Sequence, residues 1–312
     1  MLQFCADVTM SYEEFSWHPD GRRCTIGLDR VGSGPSVVLL PALSSISTRR
    51  EMSPLQARLA GSFTAIAIDL PGFGGLPKPR VDWRPEIYES YLDYVLTRVV
   101  PEPHAVVAAG HAAGYLIRHL AAHPRATTRA VLLSPTWRGP LPTMTGGDRA
   151  MFASIAKAFD PPLSGALLYR LNVNRFVVGV MASGHVYSDP RWLAGPRMHK
   201  KLAVTRAPGA RHGSARFVTG RLDPFRSRDE QTQAARRLAV PTLVVFSETA
   251  PRKSRLEMEA LAAQSGLTTL RLPGGKLSFY EEFPEETAAA IGAFLAASAA
   301  AGNSPGSVTA DS

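Results

Sequence analysis

The chain reads as an α/β protein: a mainly parallel, eight-stranded sheet with helices on both faces and an inserted helical segment. Three observations predict it. Short apolar runs such as Ser36–Leu40 (SVVLL) and His104–Ala109 (HAVVAA) recur, and most are followed by a stretch of helical period. These runs lack the alternation of a half-solvated strand, as expected of strands buried on both faces. The rhythm stops between residues 139 and 226 and then resumes, which places an insertion between the sixth and seventh strands.

The elements follow in order. Tyr12–Trp17 and Arg23–Arg30 alternate and are joined at Asp20-Gly21, the signature of a hairpin. Gly32-Ser33-Gly34-Pro35 turns the chain into the strand Ser36–Leu40. Residues 48–60 have helical character, and Phe63–Leu70 is the next buried strand. Residues 86–99 suit a helix, His104–Ala109 a strand, Ala113–His123 a helix closed by Pro124, and Ala130–Ser134 a strand. After the insertion come the strand Pro241–Phe246, a helix over 253–264, the strand Thr268–Leu272 and a last helix over 281–297. The expected division is therefore a core of residues 1–138 and 227–299, a cap over 139–226 and a disordered polar tail over 300–312.

Composition narrows the function. Among 312 residues, 45% are hydrophobic and 20% charged, an ordinary globular balance. Cys5 and Cys24 make neither a disulfide framework nor a zinc pattern, and the histidines form no metal-like cluster, so no metal or other cofactor is expected. Asp7, Glu13 and Glu14 interrupt the N-terminus, and no run reaches the ~18 apolar residues of a membrane span. A soluble cytoplasmic protein with no membrane partner is the expectation. The net charge of +9 is concentrated: residues 197–237 carry eleven Lys/Arg against three acids. Such a segment suits an anionic small-molecule ligand, or is simply solvated; without interleaved aromatics it does not suggest nucleic acid.

The motif that carries most information is Gly110-His111-Ala112-Ala113-Gly114 at the end of the fifth strand. It has the outline of a nucleophile elbow, G-x-S-x-G, with alanine at the serine position. Two other stretches stand in matching order: Leu39–Leu43 (LLPAL) and Ala67–Gly74 (AIDLPGFG). Together they resemble the α/β-hydrolase superfamily over roughly residues 11–299. The resemblance implies a Ser-His-Asp triad, and each of its positions is vacated here. Ala112 stands for the serine, Ala250 in Phe246–Ala250 (FSETA) for the aspartate, and Leu277 in Lys276–Pro284 (KLSFYEEFP) for the histidine. The stretches SSISTRREM, SPTWRGPLPT and KSRLEMEAL further resemble a bacterial and plastid branch that lacks the triad.

The resemblance also implies an oxyanion hole, from the Ala113 N–H and an N–H near Leu43 or Ser44, which needs no side chain. Trp137, Arg138, His185 and Tyr187 are expected to line the pocket mouth or the cap above it, with plain packing as the structural alternative. Lys276, Glu248 and His111 are the remaining ionisable candidates for proton transfer, with solvation, loop bracing and packing as their structural alternatives. Three readings stay open: a non-hydrolytic enzyme or pseudoenzyme holding a small carbonyl compound, a small-molecule binding protein, and a serine-type hydrolase whose catalytic residues lie elsewhere or are mutated. The oligomeric state is not readable.

Overall fold

A computed structural model describes residues 10–264 and 266–297. Cys5 and the tail over 300–312 lie outside the described residues. Eight strands form one sheet in the order β1-β2-β4-β3-β5-β6-β7-β8. They are β1 Met10–Trp17, β2 Cys24–Val31, β3 Ser36–Leu40, β4 Thr64–Ile68, β5 Ala105–Ala109, β6 Ala130–Leu133, β7 Thr242–Ser247 and β8 Leu267–Leu272. β1 and β2 pair antiparallel, as does β2 with β4, and all later pairs are parallel. Each parallel connection carries at least one helix, because a tight turn cannot return a strand to the same direction.

Strand period sets the two cores. Val38, Leu40, Ile66, Ile68, Val106, Ala108, Leu132 and Val244 face one side, against helices α2 (Pro85–Tyr94) and α3 (His111–Ala122). Val37, Leu39, Ala65, Ala67, Val107, Ala109, Val131 and Val245 face the other. That side is covered by helix α1 (Ser53–Leu59) and by the C-terminal helix Pro284–Ala296. Burying each Val or Leu contributes about 1.5–3 kcal/mol. The apolar runs of the sequence are thus two alternating faces, both dry.

Helix ends differ from the expectation in two informative places. The last helix is broken before Pro284 into Phe279–Glu282 and Pro284–Ala296, since proline cannot donate the bond that would continue the first. Helix α3 begins at His111, two residues earlier than expected.

Between β6 and β7 lie six helices before the chain rejoins the core: α4 (Pro140–Thr145), α5 (Met151–Ala158), α6 (Ser164–Asn172), α7 (Arg175–Met181), α8 (Gly195–Thr205) and α9 (Ala210–Val218). Val178, Ala182, Tyr187, Leu193 and Met198 give this insertion its own small core. It is fastened to loops at the carboxyl ends of the strands. Lys78 N–H donates to Pro208 O (2.8 Å) and Ser278 N–H to Val186 O (3.1 Å).

Beneath it, Arg49 ties three elements. Its guanidinium meets Asp29 on β2 (2.9 Å) and Asp69 after β4 (2.6 Å), and its backbone N–H donates to Asp69 (2.7 Å). All three residues are buried. Removing one partner of such a set leaves charge without water or counter-ion. Arg49→Ala is expected to lower unfolding free energy by about 3–5 kcal/mol, read from urea denaturation.

Candidate functional site

The turn between β5 and α3 is made by one residue. Gly110 adopts φ 54°, ψ −125°, a conformation closed to side chains without strain. The chain leaves the sheet there and is helical from His111 onward. The apex of the elbow is therefore Gly110, not Ala112. Ala112 lies in the first turn of α3 at 1% exposure, packed in the core shared with α2. Its methyl does not stand at the top of the sheet. Above Gly110, a Cβ would lie 3.1 Å from the Ala42 Cβ and 3.8 Å from Thr136 Oγ1. Gly110, Ala42, Ser44 and Thr136 are half-buried, so this corner is open in part to solvent.

The backbone donors shift with the apex. Ala113 N–H is engaged by Gly110 O at 3.2 Å, so the expected donor is already used. Among the described residues, no acceptor within the protein is found for the N–H groups of His111, Leu43 or Ser44. A helix's first N–H groups have no intrahelical partner, which is why His111 is left free. The Leu43 side chain itself is core, at 1% exposure.

His111 is the functional group that the structure brings to the elbow. Its imidazole is buried, with Nε2 3.0 Å from Asp223 Oδ1 and Nδ1 3.2 Å from Thr136 Oγ1. The tautomer that satisfies both partners has Nε2–H donating to Asp223 and Nδ1 accepting from the Thr136 hydroxyl. Burial pushes the Asp223 carboxyl above its ordinary value, against the opposing pull of His111 and of the Gly139 N–H, which donates at 2.8 Å. Phe217 stands edge-on to the imidazole at 5.2 Å. Asp223 lies 112 residues away in sequence, and no local signal joins it to His111.

A second buried cluster lies where the insertion meets the core. Lys201 of α8 donates to Glu51 (2.5 Å) and Glu281 (3.0 Å), and Tyr187 O–H donates to Glu281 (2.7 Å). Burial first, then the Glu281 charge, raises Glu51 to about 7, while Lys201 pulls it down. The two carboxylates hold the Lys201 ammonium above its ordinary value against its own desolvation. Sequence reading passed over Lys201 and Glu51: Glu51 lies in the stretch SSISTRREM, but nothing local pairs it with a lysine 150 residues further on.

The other expected residues do different work. Leu277 is half-buried against the core, and its N–H faces His185 O at 3.5 Å. Lys276 is tied down by its ammonium, which donates to Ser183 O (2.7 Å). Ala250 is buried beyond β7, while Glu248 is exposed and its carbonyl accepts from Arg255. Trp137 does not line a mouth: it is 2% exposed and its indole N–H donates to Glu257 (3.2 Å). Arg138 stacks on it at 4.4 Å. His185 is exposed, and Tyr187 is buried against Trp192 at 4.0 Å.

Comparison with known proteins agrees with this architecture. A family model described as the alpha/beta hydrolase family matches residues 37–290. The chain belongs to the alpha/beta hydrolase family. A haloalkane dehalogenase from Agrobacterium tumefaciens superposes with a TM-score of 0.67 at 16% identity, over 91% of this chain and 96% of that one. A carboxylesterase from Bacillus subtilis does so with a TM-score of 0.63 at 14% identity, over 91% and 92%. At this identity the likeness is one of fold. An uncharacterized protein of Mycobacterium tuberculosis is 30% identical over 103 residues, 33% of this chain and 30% of its own length.

Two outcomes test this geometry. Gly110→Ala is expected to lose about 1–3 kcal/mol in chemical denaturation, the cost of a side chain in that backbone region. Ala112→Ser should stay unreactive toward a fluorophosphonate, because position 112 faces core; labelling at 112 would move the apex back there. For Glu51 the sign follows from its raised value. Its contribution is full below about pH 4.5 and is lost as pH rises through about 7. Melting temperature in the wild type should therefore fall over that window relative to Glu51→Gln, whose profile is flatter.

Proposed function

We propose that this chain is a hydrolase-fold protein that makes no covalent bond to its ligand through an elbow serine. It holds a small carbonyl-containing ligand at the carboxyl edge of the sheet, with the insertion as its cap. It acts on that ligand without hydrolysis or simply binds it. One observation carries the reading: the residue at the apex is Gly110, which has no side chain. The alanine at 250 and the leucine at 277 support it, since neither can orient or accept a proton. The free N–H groups of His111 and of Leu43 or Ser44 support binding of a carbonyl oxygen, where one lost donor costs about 3 kcal/mol in enzymes that use such a hole. The dehalogenase and the esterase that share the fold are enzymes. What separates this chain from a nucleophilic mechanism is local to the elbow.

A second reading rests on a specific geometry. Thr136 Oγ1, His111 and Asp223 form a hydroxyl–imidazole–carboxylate series beside the apex. A hydroxyl whose proton is taken by a histidine braced on a carboxylate is an activated nucleophile. In this reading Thr136 attacks and His111 is its base.

A fluorophosphonate probe applied to the purified protein separates the two. No labelling is expected, together with a co-purified ligand that mass spectrometry recovers unchanged or as an isomer. Labelling mapped to Thr136 and lost in Thr136→Val would replace the first reading with the second.

A further inference from the structure

The insertion carries charge that the core does not neutralise. From residue 161 to residue 222 there are ten Lys/Arg and one acid, Asp189. Lys201, Arg216 and Arg221 find carboxylates elsewhere in the fold. Among the described residues Arg170, Arg175, Arg206 and Arg211 make no ion pair, and all four line one cavity of about 730 Å³. His199 joins them there. Arg170, Arg175 and Arg206 are exposed. Arg211 is half-buried and is aimed by Phe159 O, which accepts from its Nε at 2.9 Å. Among the described residues no carboxylate lines the cavity. Four guanidinium groups sharing a concave wall repel one another, and an anion relieves that repulsion while filling their paired donors.

Tyr169, 7% exposed, lines the same cavity, and its enclosed hydroxyl has Ser214 as its polar neighbour. The first residues of α8 and α9, Gly195 and Ala210, are also on the wall, so the positive ends of an 11-residue and a 9-residue helix add to the field.

Val173, Met198 and Leu202 give the wall an apolar part, and a second cavity of about 510 Å³ continues it, sharing Arg175 and Met198. That second cavity is lined by Phe176, Gly179 and Val180. Phe176 is 78% exposed and Val180 55%, so among the described residues this greasy surface has no cover.

We propose that the insertion binds an anionic amphiphile: its phosphate headgroup is held by Arg170, Arg175, Arg206 and Arg211, and its apolar chain lies along Phe176 and Val180. The site shares no residue with the elbow and stands or falls apart from it. Such a ligand exists free in solution or as a lipid in a bilayer, and one headgroup chemistry serves both.

Calorimetric titration of the full chain distinguishes the parts. Dodecyl phosphate, kept below its micellar concentration, is expected to bind saturably and at least about tenfold more tightly than inorganic phosphate, the difference being the buried chain. The double variant Arg170→Gln, Arg206→Gln changes exposed side chains and should fold normally by circular dichroism. Its affinity for dodecyl phosphate should fall by about tenfold or more. Phe176→Ser should weaken dodecyl phosphate and leave inorganic phosphate unchanged. Absence of saturable binding, or undiminished affinity in the arginine variant, overturns the proposal. Co-sedimentation with phosphatidylcholine vesicles containing phosphatidic acid identifies the source. Capture that is lost in the arginine variant supports a bilayer lipid. Binding of the monomer without capture supports a soluble ligand. Capture that persists in the variant counts against the site.

Discussion

The backbone at Gly110 is the constraint on which the functional end of the molecule rests. β5 runs through the middle of the sheet and must hand the chain to α3 above its carboxyl end. One residue at positive φ does this, and α3 then starts at once, leaving the His111 N–H without an acceptor among the described residues. The same turn drives the next side chain, His111, away from the sheet face and into the space closed by Phe217, Thr136 and Asp223. A side chain at the apex would crowd Ala42, so the turn and the loop after β3 depend on each other. The unengaged His111 N–H, the imidazole pair and the bare apex are thus three consequences of one glycine.

Charge organises the layer above. Burying ions is costly, and the fold accepts that cost only where partners converge. Arg49 gathers Asp29 and Asp69 from neighbouring strands, and Lys201 gathers Glu51 and Glu281, which are far apart along the chain. The second set joins the insertion to the sheet, with Tyr187 completing it. Burial first, and then the charge of neighbouring Glu281, raises the Glu51 carboxyl to about 7 against the pull of Lys201. Among the described residues Arg170, Arg175, Arg206 and Arg211 of the insertion have no such partners. The contrast between neutralised inner cations and open outer ones divides the insertion into a fastening face and a face toward solvent.

Much of the architecture was legible from local pattern. The strand Ser36–Leu40 was readable to the residue, and other strand ends agree within one or two positions. Where a helix was misplaced, a breaker or a competing register was present. Pro284 divides the final helix, and the run Ala108-Ala109-Gly110-His111-Ala112-Ala113-Gly114 offers small residues at the spacing of the turn in two registers. Glycine at 110 and 114 favoured the later one. The conformation chose the earlier, because the positive φ falls at Gly110 and Ala112 is a good helix former.

By itself the sequence determined the fold class, the order of its elements, the place of the insertion and the absence of a hydroxyl from the elbow. These follow from period, turn residues and identity, all of which are local. Only the tertiary structure decided which atom stands at the apex and which groups meet there. His111 finds Asp223 across 112 residues, and Lys201 finds Glu51 across 150. Four arginines of three different helices and their connections come to share one wall. Such meetings are set by how packed elements cross, and no spacing along the chain encodes that distance.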